Sequence, residues 1–208
     1  MSKLDYSDPS RGKFVQNKQN VLIDEDRSIY KPLDYRFDIK LSNIYLEGDI
    51  EMGSLFDFMI KVGMILEHRN QPITTPINLI INSDGGDVYE GLGIIDFIDT
   101  LPCPVNTSVI GRACSMAAII LAAGTGTRVA SKNAIIMVHE LSTGNYGKAT
   151  DLVSTSAHIE QLDTVLFTLL NKYTKRDLDS EYWQKLARKD YYMNSESALR
   201  HGLIDKIL

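Results

Sequence analysis

Cysteine, tryptophan and proline are all scarce in this chain: two, one and six among 208 residues. Cys103 and Cys114 are too few for a disulfide framework and lack the CxxC spacing of a zinc site, so both are expected to be reduced, buried small residues. No basic block interrupts the mixed charge pattern, and 22 Lys and Arg against 27 Asp and Glu leave a net charge of -5. That balance excludes the electrostatic footprint of a nucleic-acid binder. No run approaches the roughly 18 to 20 apolar residues of a membrane span. The opening MSKLDYSDPSRGKF has no apolar core of a secretory leader. A soluble, cytoplasmic protein with neither membrane nor nucleic-acid partners is expected. What the chain does have is 44% hydrophobic residues, enough for one ordinary globular core without covalent staples.

Residues 1–40 are polar with no sustained period of 2 or 3.6, and read as an arm preceding a domain over 41–208. Asn43 to Gly48 reads as a strand and Met52 to Glu67 as a helix, with Leu55, Met59, Val62 and Leu66 at helical spacing. The pattern repeats: Pro76 to Asn82 is a buried strand, Ser83 to Asp87 a turn, and Val88 to Leu101 a helix. Val105 to Ile110 gives a third strand, Gly111 a turn, and Ser115 to Ala123 a short apolar helix. Thr127 to Ala130 and Ala134 to His139 are strand-like, and Glu140 to Lys148 is a glycine-punctuated loop. From Ala149 to Tyr173 an apolar stripe of Leu152, Ile159, Leu162, Leu166, Leu169 and Tyr173 predicts a helix of roughly six to seven turns. Its stripe exceeds what one small domain needs, which suggests burial against another copy. Tyr191 to Met193 and Ile204 to Leu208 complete the strands, around a short helix capped by Asn194 or Ser195 and ended by Gly202. Strands alternating with helices predict an α/β fold with a mainly parallel sheet.

The double glycine of Asn82-Ser-Asp-Gly-Gly-Asp-Val88 stands where a strand gives way to a helix. Glycine there lets backbone approach a ligand, and N–H groups at a helix start can stabilise developing negative charge. A tight turn with Asp87 as helix cap explains the same residues. Asp84 and Asp87 lack the ligand pattern of a calcium loop. Ser115, in Gly111-Arg-Ala-Cys-Ser-Met-Ala117, stands at a strand-to-helix junction from which its hydroxyl can enter a cleft, and the Met116 N–H can donate to an oxyanion. The spacing is not GxSxG, and helix capping is the alternative. His139 ends the apolar run Ala134 to Val138, and histidine is the usual general base near neutral pH; a structural histidine is the alternative. His68, His158 and His201 read as surface residues.

Taken together, Ser83-Asp84-Gly85-Gly86, Ser115-Met116 and Met137-Val138-His139 resemble the ClpP serine peptidase family, including phage-encoded members. The closing Arg188-Lys189-Asp190 and Ala198-Leu-Arg-His-Gly202-Leu-Ile-Asp205 are similar to that family's C-terminal motifs. The resemblance implies a ClpP/crotonase-like fold of repeated strand-strand-helix units with a protruding handle over 140–174. It implies a catalytic triad of Ser115, His139 and Asp190, an oxyanion hole at Gly86 and Met116, and substrate contacts from Gly85, Asp87, Val88, Leu141 and Ser142. No metal and no cofactor is implied, since ATP is used only by a partner AAA+ unfoldase. The implied partners are copies of itself in stacked, commonly heptameric rings, and unfolded polypeptide as substrate. Asp84 stands where the family has proline, and Arg188-Lys189 replaces an acid-arginine pair that joins the rings. Either an acid from elsewhere, with Glu160 or Asp151 as candidates, is therefore expected to face the basic pair, or the contact between rings is expected to be weaker and salt-sensitive. A catalytically silent scaffold subunit and a crotonase-like acyl-CoA enzyme are the competing readings.

Overall fold

From Ile77 onward every second side chain is buried, which is the period of a strand with one covered face. That strand lies at the heart of an eight-stranded sheet. The computed structural model describes residues 37–142, 149–174 and 181–208, with two short strands at 14–16 and 22–24. Those two, β1 (Phe14–Gln16) and β2 (Leu22–Asp24), pair antiparallel within the stretch read as a polar arm. The sheet begins with β3 (Phe37–Asp38) and β4 (Asn43–Ile50) and continues through α1 (Ser54–His68), β5 (Ile77–Gly86), α2 (Val88–Thr100) and β6 (Val105–Cys114). Next come α3 (Met116–Ala122), β7 (Arg128–Ala130) and β8 (Ile135–Val138). The remaining elements are α4 (Ala149–Tyr173), α5 (Tyr182–Ala187), β9 (Tyr191–Asn194), α6 (Ser195–His201) and β10 (Lys206–Ile207).

The main strand order is β10-β7-β6-β5-β4-β3, parallel from β10 to β4 and antiparallel at the β3 edge. The mixed α/β architecture expected from the alternation of elements is the one observed. All seven residues of α3 are buried. Full burial of each large aliphatic among them, Ile119, Ile120 and Leu121, contributes about 1.5–3 kcal/mol. Among the described residues no helix is long and apolar enough to cross a membrane.

Two expected turns prove to be strand. β5 runs through Ser83 and both glycines, because β4 continues beside it and pairs Asp49 and Ile50 with Gly85 and Gly86. β6 likewise passes through Gly111, where φ of +92° bends the strand without ending it. A side chain at that bend would press on Asn82 Oδ1 at 2.5 Å. Before the bend, Thr107 to Val109 pair with β7; after it, Arg112 to Cys114 pair with β8. The closing strand is only Lys206–Ile207, and α5 was not anticipated because six residues are too few for a periodic signal. His201 is not a surface residue. Its ring is hydrogen-bonded to the Tyr182 hydroxyl at 2.8 Å and the Tyr191 hydroxyl at 3.2 Å, and packs beside Trp183.

Arg128 anchors the C-terminal end. Only 2% exposed, its guanidinium donates to both carboxylate oxygens of Asp205, at 3.1 and 2.7 Å, and to the carbonyls of Ala122 and Tyr173. Arg128 is the buried member of the pair and Asp205 lies at the surface, so removing the carboxylate leaves a buried charge uncompensated. Asp205→Ala is therefore expected to lower unfolding free energy by about 3 kcal/mol, read from the denaturant midpoint at constant slope. An unchanged midpoint would show that the two carbonyls alone satisfy Arg128.

Candidate active site

The register of β6 and β8 aligns Cys114 with Met137, so Ser115 and His139, just past the two strand ends, emerge side by side at one edge of the sheet. Ser115 N–H donates to the Met137 carbonyl at 2.8 Å and extends the ladder by one bond. The antiparallel register of β8 and β9 pairs Val138 with Tyr191. One step further along that register, His139 stands opposite Asp190.

Ser115 Oγ lies 2.8 Å from His139 Nε2, a full hydrogen bond. Although Ser115 occupies the cap position of α3, its side chain makes no capping bond. Its backbone has φ 54° and ψ -127°, a left-handed conformation that costs a non-glycine residue about 1–3 kcal/mol. The flanking bonds, Ser115 N–H to Met137 and Ala118 N–H to the Ser115 carbonyl, hold it there. On the other side of the ring, His139 Nδ1 is 3.8 Å from Asp190 Oδ1, within ion-pair reach but too long for a hydrogen bond. The Asp190 side chain is 58% exposed and that of His139 22%.

The glycine edge of β5 closes the other wall. Gly85 has φ +92°, and a Cβ there would stand 2.6 Å from the Cys114 carbonyl oxygen, 2.8 Å from Ser115 Cβ and 3.0 Å from Met116 N. Gly86, with φ +141°, has no room for a Cβ beside the Ile50 backbone. The end of β5 therefore approaches the serine as only glycine can. Met116 is the first residue of α3, so its N–H has no acceptor within the helix. Asp87 caps α2, accepting from Tyr89 N–H at 2.9 Å and Glu90 N–H at 3.0 Å.

Beside Ser115 and His139 lies a narrow apolar recess lined by Val88, Met116, Ile119 and Leu141, with Leu166 and Phe167 from α4. Ser142 is exposed at the edge of the described residues. Residues 143–148 of the expected glycine-rich segment lie outside the described residues, as do the side chains of 149–153, Asp151 included. Sequence reasoning missed Asp163, whose carboxylate accepts from Leu141 N–H at 2.9 Å and so ties α4 to the segment after His139. It also missed the ion pair between Asp84 and Arg112 at 2.7 Å. Both are tertiary contacts with no local signature. Glu160 and Arg188 stand on the walls of one cleft between α4 and α5 within the same chain. Among the described residues no group of three His, Cys, Asp or Glu gathers as a metal site. Burial, and then the Asp84 carboxylate, push the Cys114 thiol above its ordinary pKa, with Arg112 opposing. A protonated thiol is a poor nucleophile.

The site is thus an α/β sheet that brings a serine hydroxyl onto a histidine at the ends of two parallel strands, with glycine backbone packed beside the serine. The Clp protease family model matches residues 36–208. ATP-dependent Clp protease proteolytic subunit 1 of Salinibacter ruber is 30% identical over 150 residues, which are 72% of this chain and 64% of that relative. The chain belongs to the Clp protease family.

The packing around Gly86 carries a stability forecast. Gly86→Ala must displace the Ile50 backbone and adopt a positive φ, so equilibrium unfolding should register a loss of about 1–3 kcal/mol. Wild-type stability in this variant would mean that β4 yields freely.

Proposed function

We infer that the chain is a serine endopeptidase that cleaves unfolded polypeptide through an acyl-enzyme, with Ser115 as nucleophile, His139 as general base and Asp190 as the orienting acid. The observation that carries this reading is the 2.8 Å contact between Ser115 Oγ and His139 Nε2. His139 takes the hydroxyl proton as Oγ bonds to the scissile carbonyl carbon. The oxyanion so formed is met by the N–H groups of Gly86 and Met116. His139 then passes its proton to the leaving amine as the C–N bond breaks, and water, deprotonated by the same imidazole, releases the acyl group. Asp190 fixes the tautomer with Nδ1 protonated, for which its carboxylate must close by about 1 Å to hydrogen-bond distance. Such contacts commonly tighten in the substrate complex.

Val88 and Leu141 line the apolar recess and are suited to a substrate side chain, while Gly85 and Ser142 are placed to meet an extended peptide through main chain. The Asp87 backbone N–H and carbonyl are already bonded to Ile50 and Gly91, which leaves Asp87 to act there by shaping the turn into α2. The polar contacts would then fall on main chain, making selectivity broad. This route calls on no metal or organic cofactor. In the same reading the chains stack as rings, commonly heptameric, around an enclosed chamber. A partner AAA+ unfoldase spends the ATP and feeds the substrate. A silent scaffold would have no use for the Ser115–His139 hydrogen bond or for the strain at Ser115. A crotonase-like acyl-CoA enzyme would use the glycine edge but not this serine and histidine.

Hydrolysis of an unstructured polypeptide is the test. Ser115→Ala and His139→Ala should each reduce kcat by about 10⁴-fold or more, and Asp190→Asn comparably, because residues acting as a unit fail together. Near-wild-type turnover in Ser115→Ala overturns the reading. Near-wild-type turnover in Asp190→Asn alone moves the orienting role to Glu181, Asp177 or Asp179, the last two outside the described residues.

A further inference from the structure

The ladder between β5 and β6 runs out before it reaches the site. The two strands are in register from Ile77 with Val105 to Ile81 with Val109, shift, and meet again only at Ser83 with Ala113. Beyond that pair lie Gly85 and Gly86 on one side and Ser115 on the other, with no paired residues between the two strands. Glycine backbone is the most mobile of all, so two in succession at the end of a ladder do not hold a fixed distance unaided. β4 steadies the far edge through Ile50 with Gly86 and the Asp87 N–H bond to the Ile50 carbonyl, at 2.7 Å. Nothing in that contact sets the spacing toward β6.

The one ion pair joining the ends of β5 and β6 among the described residues sits at this point. Asp84, immediately before the glycines, receives the Arg112 guanidinium at 2.7 Å, three residues before Ser115. Both side chains lie on the exposed face of the sheet with Asn82, Cys114 and Tyr192, away from the buried α3. Resting on the peptidase reading, we propose that Asp84 and Arg112 form a charged clamp across the two strands. The clamp positions Gly85 and Gly86, and with them an oxyanion donor, against Ser115. Neither side chain reaches the reacting atoms, so both are positioning residues. A displacement near 1 Å in such a constellation costs on the order of 10²-fold in rate. A half-exposed pair, at 57% and 51% side-chain exposure, has little weight in global stability and is screened by salt. The two effects are therefore separable.

The experiment compares wild type, Asp84→Asn, Arg112→Gln and the charge swap Asp84→Arg with Arg112→Asp. Peptide-hydrolysis kinetics are followed at salt from about 0.05 to 0.5 M, with amide exchange of the segment 83–88. Each single variant should lose about tenfold in kcat with KM within twofold, exchange the Gly85 and Gly86 amides about tenfold faster, and melt within about 4 °C of wild type. The swap should recover kcat to within about threefold and restore slow exchange. Wild-type kcat should fall with salt while that of the single variants stays flat. Unchanged kcat and exchange in both single variants overturn the clamp, as does a swap no better than either. A wild type that hydrolyses no peptide overturns the peptidase reading instead, and amide exchange in the four proteins still decides the clamp.

Discussion

The contact between Ser115 and His139 exists because β6 changes partner partway along its length. Up to Val109 its neighbour is β7; past the bend at Gly111 it is β8. A parallel ladder ending at Cys114 and Met137 brings the serine and the histidine out of the sheet at one height. The antiparallel β9 then brings Asp190 to the far side of the imidazole by the same arithmetic of register. A one-residue slip in either pairing would turn Ser115, His139 or Asp190 to the opposite face, and the buried faces of β6 and β8 resist such a slip. Ala113, Ile136 and Val138 are all 2% exposed or less.

Strain and close packing occur together at this point. Ser115 is held at positive φ by hydrogen bonds to β8 and within α3, and Gly85 lies where any side chain would strike its Cβ. The buried α3 beneath, with Ala117 and Ala118 fully covered, gives the serine a floor that cannot move independently of the core. The energy that keeps Ser115 in an unfavourable conformation thus comes from burial elsewhere in the domain. The acid is the looser member: Asp190 is exposed, at the start of a strand and 3.8 Å from its histidine. Its two basic neighbours, Arg188 and Lys189, are exposed as well.

Most of the fold was legible because its elements are long and periodic. The helices at Ala149–Tyr173 and Val88–Thr100 and the strands at Asn43 and Ile77 announce themselves by spacing. What misled were glycines. Gly85, Gly86 and Gly111 read as turns, whereas neighbouring strands keep the ladder running past them. Of the site, Ser115 and His139 were legible as a combination, each weak alone, while their contact is a property of register that no local window contains. The roles of Asp163 and Arg112 depend on partners 22 and 28 residues away, and neither stands in a motif. Asp87 shows the reverse: its residue type and position suggested a helix cap, and its carboxylate is engaged as the cap.

The central claim is that this register makes an otherwise ordinary serine nucleophilic. Incubation of the native protein with a fluorophosphonate, with peptide mapping of the product, tests it directly, because such reagents modify only activated serines. The account predicts one phosphonylated residue, Ser115, with modification lost in His139→Ala although the serine remains. Modification at a different serine, or equal labelling of Ser115 without His139, would contradict it.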